Sequence, residues 1–298
     1  MAVVVFHHND LDGYGAAAVI AHAIYADCMK VIFIPCNYDD KPVDIDRIPA
    51  DRSGEIDMVY IVDLSFTPET SHKLLEIGSA YRTVWIDHHT SSINLMKDKD
   101  FVKEIYRLDI DREISTRYSG AYLTWQYLHE DEDPIPTVVT YIDDYDRWVL
   151  AHEESTYLEI AFEMNDDDEF TNPESKIWYD LISNDDDVLC GVLDHGALIK
   201  HYLNKRYEKE LKQYGYEGEI DGHKCICLNN KANSWIFSDA YEKYPVCVSY
   251  RYNGKKYIYS IYSHPKFKNE VDCSKIAEKY GGGGHVGAAG FVSDTIVV

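Results

Sequence analysis

The sequence lacks any long apolar run. No stretch approaches the roughly 20 consecutive apolar residues that a membrane helix requires. The apolar opening at residues 2–6 is also too short for a signal peptide. These absences predict a cytoplasmic protein that has no membrane partner.

Basic side chains are scarce as well. The 298 residues contain 29 Lys and Arg against 52 Asp and Glu, which gives a formal net charge of -23. A protein that holds long nucleic acid by neutralising its phosphates needs clustered Lys and Arg. The balance therefore argues against a long nucleic-acid track.

This scarcity is confined to one part of the chain. Residues 1–195 carry 14 basic and 41 acidic side chains, whereas residues 196–298 carry 15 and 11. An acidic part that could hold cations, joined to a mildly basic part that could hold anions, would suit a metal-dependent enzyme acting on a phosphate substrate. The alternative is that the acidic surface only aids solubility.

The seven cysteines contain no repeated pair of the Cys-x-x-Cys type, which is the usual spacing of zinc and redox sites. Cys225 and Cys227 are two residues apart, and in a strand they would share one face. We interpret the cysteines as reduced, buried residues, with a soft-metal site as the alternative.

The first half of the sequence alternates strand-like and helix-like segments. Apolar runs typical of buried parallel strands alternate with segments that favour helices. Strands are predicted at residues 2–7, 31–35, 58–62 and 83–86, and helices at 13–26, 68–77, 119–128 and 137–143. The acid-rich stretches 163–169 and 185–187 are predicted as surface loops. This alternation predicts a parallel sheet with helices on both faces.

A different pattern follows. Residues 197–214 have helical spacing and end at Gly215, a plausible C-cap. Strands are predicted at 224–228, 246–251 and 257–262, with Asn253-Gly254 as a hairpin turn, and a helix at 274–279 leads into the glycine run 281–284. The sequence thus predicts an α/β protein with an N-terminal parallel-sheet domain at residues 1–195, a helical connector at 196–215, and a smaller C-terminal mixed α/β domain at 216–298.

The strongest chemical feature is His8-Asn9-Asp10-Leu11-Asp12-Gly13, directly after the first predicted strand. In an extended segment, the side chains at positions 8, 10 and 12 would point the same way, so one imidazole and two carboxylates would converge. Such a convergence is repulsive without a cation, and the element therefore predicts a metal site.

Two further elements follow predicted strands in the same manner. Asp63 comes after the strand at 58–62, and Asp87-His88-His89 comes after the strand at 83–86. The carboxyl ends of parallel strands line one crevice, where ligands bind. A lone Asp at such a place is often only a helix cap, and paired histidines often have no ligand role. All three elements in order favour a shared site for divalent metal, with Mn suited to the ligands and Mg, Zn or Fe as alternatives.

These elements resemble the ordered motifs of the DHH phosphoesterases. The resemblance rests on the His-x-Asp-x-Asp-Gly element, on Val62-Asp63-Leu64-Ser65, on Asp87-His88-His89 and on the distant Gly282-Gly283-Gly284-His285. It covers both predicted domains. Residues 7–15 and 141–148 look closest to the oligoribonuclease, or nano-RNase, branch. The family also includes cyclic-dinucleotide phosphodiesterases, phosphoadenosine phosphatases and, more distantly, family II pyrophosphatases.

The resemblance implies two divalent metal ions, with Mn favoured and Mg as the alternative. His8, Asp10 and Asp63 would hold one ion. Asp12, His88 and an acidic residue of a fourth motif would hold the second, with Asp63 bridging both. Asp143, Asp144 and Asp146 all lie in the fourth motif. We choose Asp144 and hold Asp146 in reserve.

The resemblance also implies roles in catalysis and binding. His89 would contact the scissile phosphate or assist proton transfer, and Asp87 would orient a neighbouring histidine. Backbone N–H groups of the glycine run, which includes Gly282, Gly283 and Gly284, would cradle a phosphate with help from His285. Many relatives carry arginine where this chain has Tyr262. Arg251 or Lys266 would then replace that arginine, or Tyr262 would stack on a base.

The predicted function is hydrolysis of phosphodiester bonds in short oligonucleotides by a hydroxide held between two metals, as in a nano-RNase type exonuclease. One alternative is a phosphodiesterase or phosphatase for small nucleotides, such as a cyclic dinucleotide or phosphoadenosine phosphate. An inactive nucleotide sensor is the alternative from another class. The expected partner is a short oligonucleotide or small nucleotide, and a homodimer is an open option.

Overall fold

A computed structural model describes residues 2–25, 29–38, 41–49, 54, 56–130, 133–164, 169–230 and 234–298. The chain divides into two compact units, Met1–Gly196 and Ala197–Val298. We describe each unit by itself.

The first unit is built on a parallel sheet of five strands. The strands are β1 (Ala2–His8), β2 (Lys30–Cys36), β3 (Ile56–Val62), β4 (Thr83–Asp87) and β5 (Asp111–Ile114). They are ordered β2-β1-β3-β4-β5, and every neighbouring pair is parallel. All carboxyl ends therefore lie at one edge of the sheet.

Helices cover both faces of this sheet. They are α1 (Leu11–Ile24), α2 (Ser71–Ala80), α3 (Thr90–Leu95), α4 (Lys99–Arg107), α5 (Gly120–Leu128), α6 (Thr137–Asp146), α7 (Glu153–Glu163) and α8 (Lys176–Ile182). Alternate residues of β1 enter different cores. Val3 and Val5 pack with α1 and α5, whereas Val4 and Phe6 pack with α2 and α4. The predicted architecture of this unit is confirmed.

The described part of the second unit contains the second half of a long helix, α9 (Asp186–Tyr214), a mixed sheet of six strands and one short helix. Its elements are β6 (Tyr216–Ile220), β7 (His223–Asn229), β8 (Val246–Tyr252), β9 (Tyr257–Tyr262), α10 (Cys273–Glu278), β10 (Gly283–Gly284) and β11 (Ala288–Ser293). The order is β10-β11-β9-β8-β7-β6. Among the described strands of this six-stranded sheet, β7 and β8 are the one parallel pair, and the other neighbours are antiparallel. The predicted mixed α/β fold is confirmed.

Several predicted boundaries are corrected. Helix α2 begins at Ser71 rather than at Pro68, because Thr67 and Thr70 bond to each other in a turn that precedes the helix. The long helix α9 spans Asp186–Tyr214, so it begins inside a predicted loop and crosses the boundary between the units. Asp185 accepts hydrogen bonds from the N–H groups of Asp187 and Val188, which caps this start.

The other predicted acidic loop, at residues 163–169, falls partly outside the described residues. Four strands, β5, β6, β10 and β11, had no counterpart in the sequence prediction. Cysteines 36, 190, 225, 227, 247 and 273 are all free thiols. Within the described ranges, no helix has the length and apolar character that crossing a membrane would need.

Candidate metal centre

The first motif lies where β1 passes into α1. His8 is the last residue of β1, and Asp10 is the N-cap of α1, whose Oδ1 accepts the N–H of Gly13 at 3.0 Å. Asp10 Oδ2 lies 2.5 Å from His8 Nδ1. The prediction that residues 8–12 are extended is therefore wrong, because helix α1 begins at Leu11. A cap and a helical turn orient these side chains.

Asp12 lies in the first turn of α1, and the start of α5 holds it. Its two carboxylate oxygens accept the N–H groups of Gly120 and Ala121 at 2.6 and 2.9 Å. These N–H groups belong to the first turn of α5, where the helix leaves donors unsatisfied and the dipole favours an anion. Asp12 is buried, and these two hydrogen bonds fix the orientation of its side chain.

Asp63 follows β3 directly and is almost fully buried. Its φ angle is 54°, a left-handed conformation in which non-glycine residues are uncommon and which often marks functional sites. Its N–H donates to the carbonyl of Ile86 on the neighbouring strand at 2.9 Å. Both carboxylate oxygens are buried and accept no hydrogen bond from any described residue.

His88 contacts carboxylates from three different elements. Its Nε2 lies 3.2 Å from Asp63 Oδ1, 3.4 Å from Asp146 Oδ2 and 3.7 Å from Asp12 Oδ2. Asp63 Oδ2 in turn lies 3.8 Å from His8 Nδ1. The ligand-type atoms of His8, Asp10 and Asp63 lie within 4.8 Å of one another, and so do those of Asp12, His88 and Asp146. We call these six residues the metal-centre cluster.

Asp87 and His89 form a hydrogen-bonded pair at this cluster, where His89 Nδ1 also lies 3.8 Å from Asp63 Oδ1 and groups with Asp63 and His88. His89 Nδ1 lies 2.7 Å from Asp87 Oδ1, and the Ser92 hydroxyl donates to Asp87 Oδ2. Burial acts to raise the pKa of Asp87, but the hydrogen bond from His89 prevails and lowers it. Burial likewise acts to lower the pKa of His89, and the bond to Asp87 raises it. Asp87 thus sets the orientation of the half-buried His89 ring and raises the pKa of its imidazole.

The fourth motif is corrected by the structure. Asp146, not the preferred Asp144, joins the metal-centre cluster. Asp144 Oδ1 accepts the N–H of Ala151, and Oδ2 accepts the Ser155 hydroxyl at 2.6 Å and the N–H of His152. Asp144 thereby closes the turn after α6, in which Trp148 and Leu150 have positive φ angles.

The third acid of the motif supports the neighbouring loop. Asp143 Oδ1 accepts the N–H of Ser119 at 2.7 Å, and its Oδ2 lies 3.3 Å from Arg147 Nη1. Ser119 is the N-cap of α5. Asp143 therefore helps to place the helix start that holds Asp12, and of the three acids only Asp146 faces the cluster.

The charges of the cluster call for a cation. Burial, and then the negative charges of Asp12, Asp10 and Asp146, raise the pKa of Asp63 well above its usual range. Burial and the charge of Asp12 raise the pKa of Asp146 in the same way. Asp146 Oδ2 is a further buried atom without a hydrogen bond in the described structure. Imidazole nitrogens and carboxylate oxygens are the donors that Mn²⁺ accepts, so the residues fit the predicted metals.

The glycine run of the second unit differs from the predicted phosphate loop. The N–H groups of Gly281 and Gly282 donate to the carbonyls of Glu278 and Ala277, and that of His285 donates to Ala288. A side chain on Gly282 would lie 2.1 Å from the carbonyl oxygen of Gly290. Glycines are needed here because an edge strand passes close to β11. The N–H groups of Gly281, Gly282 and His285 cannot cradle a phosphate in this conformation.

The other predicted binding residues of this unit lie at two ends of its sheet. Tyr262 pairs with Ala288, next to the pair formed by Gly284 and Ala289. On its other side Tyr262 pairs with Cys247, which is four residues before Arg251 on β8. At roughly 3.3 Å per residue this separates Tyr262 from Arg251 by about 13 Å. The structure places Gly283, Gly284, His285 and Tyr262 near one another, and it does not bring Arg251 to them.

Sequence reasoning missed the residues that support the cluster. Gly120 is one, since a side chain there would lie 2.7 Å from Asp63 Cβ and 3.0 Å from Asp12 Oδ2. The only sequence signal was Ser119-Gly120 at a predicted helix start. Ser92 and Tyr38 were missed as well. Tyr38 stands close to His8 and His89, with ring centroids 5.3 and 6.3 Å apart.

Two curated proteins are similar to the chain along almost its whole length. An uncharacterized protein of Acanthamoeba polyphaga mimivirus is 24% identical over 97% of the chain. The oligoribonuclease NrnB of Bacillus subtilis is 22% identical over 96% of it. The chain spans 66% and 71%, respectively, of the length of these relatives. No protein-family model matches the chain.

Solved structures share the fold. The DHH domain of a member of the s1p family of ribosomal proteins has a TM-score of 0.58 and 16% identity, and covers 98% of this chain and 82% of that one. The pGpG-specific phosphodiesterase PggH of Vibrio cholerae has a TM-score of 0.53 and 12% identity, and covers 99% and 94%. The shared fold and the sequence relatives confirm the resemblance to DHH proteins, and the chain has the fold of these structures.

Proposed function

We propose that the chain is a cytoplasmic, metal-dependent phosphodiesterase that removes nucleotides from short oligonucleotides. The observation that carries this proposal is the position of Asp63. Its two buried oxygens face two groups of ligands, one with His8 and Asp10 and one that includes His88. Such an arrangement suits a carboxylate that bridges two divalent cations, and Mn²⁺ is the metal we propose.

The relatives support a small nucleotide substrate. The Bacillus subtilis relative is an oligoribonuclease, and the Vibrio cholerae structure is a pGpG-specific phosphodiesterase. The net charge of -23 supports the same conclusion. A few phosphates held by metals need no long basic track, whereas long nucleic acid would be repelled.

The residues suggest how the reaction proceeds. Two bound divalent cations would lower the pKa of a water molecule and stabilise the charge that builds on the phosphoryl oxygens. Asp12 and Asp63 hold fixed orientations before substrate arrives, so little reorganisation is needed. His89, oriented by Asp87, would attract a phosphoryl oxygen or donate a proton to the leaving oxygen. No side-chain nucleophile is required. That Tyr262, Gly284 and His285 contact substrate stays a prediction.

A panel of substrates tests this function. We expect the Mn²⁺-loaded protein to hydrolyse 5′-phosphorylated dinucleotides and five-residue oligomers, and to act weakly on long RNA. Cyclic dinucleotides and phosphoadenosine phosphate serve as the competing substrates. Products resolved by chromatography would show mononucleotides released one at a time.

The variant that tests the metal site is Asp63→Asn. Asparagine tolerates the left-handed backbone conformation and keeps the shape of the side chain, but it removes the charge. This variant should stay folded and lose both metal binding and turnover. Preference for a cyclic dinucleotide or for phosphoadenosine phosphate would replace the substrate assignment. Nucleotide binding with no turnover of any substrate would instead identify a sensor.

A further inference from the structure

Tyr38 lies on a loop that follows β2 and is firmly attached to the first unit. The Arg47 guanidinium donates to the carbonyls of Pro35, Lys41 and Pro42 at 2.7, 2.9 and 2.9 Å. The N–H of Asn37 also donates to the Lys41 carbonyl at 2.9 Å. A single arginine thus ties both described ends of the loop together. Tyr38 therefore stands on a braced segment.

The Tyr38 hydroxyl binds the chain just after Asp63. It accepts the N–H of Ser65 at 3.1 Å and the Ser65 hydroxyl at 3.2 Å. These two bonds direct the ring along the carboxyl edge of the sheet. The ring centroid lies 5.3 Å from that of His8, in the metal-centre cluster, and 6.3 Å from that of His89.

Despite these contacts, 48% of Tyr38 is exposed. A half-exposed aromatic ring that is fixed at its hydroxyl end and adjoins a metal centre resembles the platforms on which proteins stack nucleobases. A role as a phenolate metal ligand does not fit. The hydroxyl oxygen is already occupied by the two hydrogen bonds from Ser65.

We propose that Tyr38 positions the substrate by stacking its ring on the nucleobase next to the scissile phosphate. This proposal rests on the proposed function, and it makes Tyr38 a determinant of specificity for nucleotides over other phosphodiesters. A base held by Tyr38 would fix the attached phosphate beside the cluster. Stacking tolerates any base, so the contact would give little sequence preference.

The test compares Tyr38→Leu, which removes the ring, with Tyr38→Phe, which keeps it. Tyr106→Leu is the matched control, because Tyr106 is 67% exposed on α4. For each Mn²⁺-loaded protein, kcat and KM are measured with a 5′-phosphorylated dinucleotide and with the two analogues in which one base is absent. Manganese affinity is measured alongside.

We expect Tyr38→Leu to lower kcat/KM for the dinucleotide by about tenfold or more. The change should appear mainly in KM. For the analogue that lacks the stacked base, Tyr38→Leu and the wild type should have the same kcat/KM, so the variant no longer prefers the intact dinucleotide over this analogue. Tyr38→Phe and Tyr106→Leu should keep the preference, and manganese affinity should stay unchanged. If Tyr38→Leu lowered kcat/KM equally for all three substrates, Tyr38 would have only a structural role. A loss in Tyr38→Phe as large as in Tyr38→Leu would assign the effect to the hydroxyl.

A binding assay separates this proposal from the proposed function. A dinucleotide that contains 2-aminopurine is titrated into the Mn²⁺-loaded wild type, and its fluorescence falls when the base stacks. Fluorescence quenching that Tyr38→Leu abolishes, in a protein that cleaves no diester, would retain the stacking role and reject the proposed activity. Hydrolysis of the dinucleotide with equal quenching in both proteins would retain the activity and reject the stacking role.

Discussion

Asp63 combines three properties that rarely occur together in one side chain. It has a left-handed backbone, it is buried, and neither carboxylate oxygen has a hydrogen bond among the described residues. Each property costs free energy in the metal-free protein. The proposed bridging role between two cations would offset that cost, because the cations would supply the missing partners for both oxygens.

The fourth-motif acids offer a matched pair of variants. Asp146→Asn should weaken manganese binding by more than about tenfold, since even changes around a ligand have effects of this size. Asp144→Asn should instead lower the free energy of unfolding by about 1–3 kcal/mol, because it disrupts the acceptor of three hydrogen bonds. Calorimetric titration and denaturant unfolding measure the two effects. Weak metal binding in the Asp144 variant, with Asp146→Asn unaffected, would reverse our assignment.

The sequence identified the first three motifs, because each follows a recognisable apolar strand. It could not choose among Asp143, Asp144 and Asp146. On a helix these residues point in three directions, and which of them faces the metal-centre cluster depends on the elements that pack against each side of the helix. Asp144 accepts the N–H groups of a turn, and no local sequence pattern predicts these contacts. The roles of Tyr38 and Gly120 could likewise not be predicted from the sequence, since each contacts residues that are distant along the chain.

At the scale of elements, the parallel sheet assembles the site by placing the ends of β1, β3 and β4 side by side. The start of α5 completes it through two N–H groups that bind Asp12. Alternation of apolar strands and helices sufficed to predict this sheet. Strands β5 and β6 were missed because they are short and largely polar, as edge strands often are. The early start of α9 was missed because three consecutive aspartates suggested a loop.

The close approach of α5 to the cluster gives a test at this scale. Gly120→Ala would place a methyl group 2.7 Å from Asp63 Cβ and 3.0 Å from Asp12 Oδ2. We expect manganese affinity to fall by about tenfold, because α5 or Asp63 must shift. Gly191→Ala is the control, since a methyl group there meets nothing within 4 Å on α9. Unchanged manganese affinity in Gly120→Ala, measured by titration, would show that α5 does not position the cluster.

At the scale of the whole molecule, negative charge is concentrated in the first unit, where residues 1–195 carry 41 of the acidic side chains. Composition alone predicted that this part attracts cations. It could not show which acids gather, because most of them are spread over the surface. The change of pattern predicted two domains joined by a helical connector, but it did not predict that this helix begins at Asp186, within the first unit.

The crowded acids predict how pH affects stability. The pKa values of Asp63 and Asp146 are raised, so the folded metal-free protein retains protons that the unfolded chain has lost. Its free energy of unfolding should therefore fall as pH rises above the ordinary carboxyl range, until both groups are ionised. Above about 6.5 the depressed pKa of His7, about 4, opposes this trend only slightly.

Manganese should reverse the trend. The ion binds ionised carboxylates, so the rise in Tm that it causes should grow over the same pH range. Scanning fluorimetry of wild type and Asp146→Asn, with and without Mn²⁺, measures both effects. The variant should show a flatter dependence in each condition. A manganese effect that shrinks with rising pH in the wild type would contradict the charge account.

The central claim is that one carboxylate joins two metal positions. Anomalous X-ray diffraction at the manganese absorption edge, from crystals grown with Mn²⁺, locates the ions directly. We predict two peaks in each molecule, one among His8, Asp10 and Asp63, and one among Asp12, His88 and Asp146, with Asp63 contacting both. A single peak, or peaks away from Asp63, would contradict a two-metal phosphodiesterase.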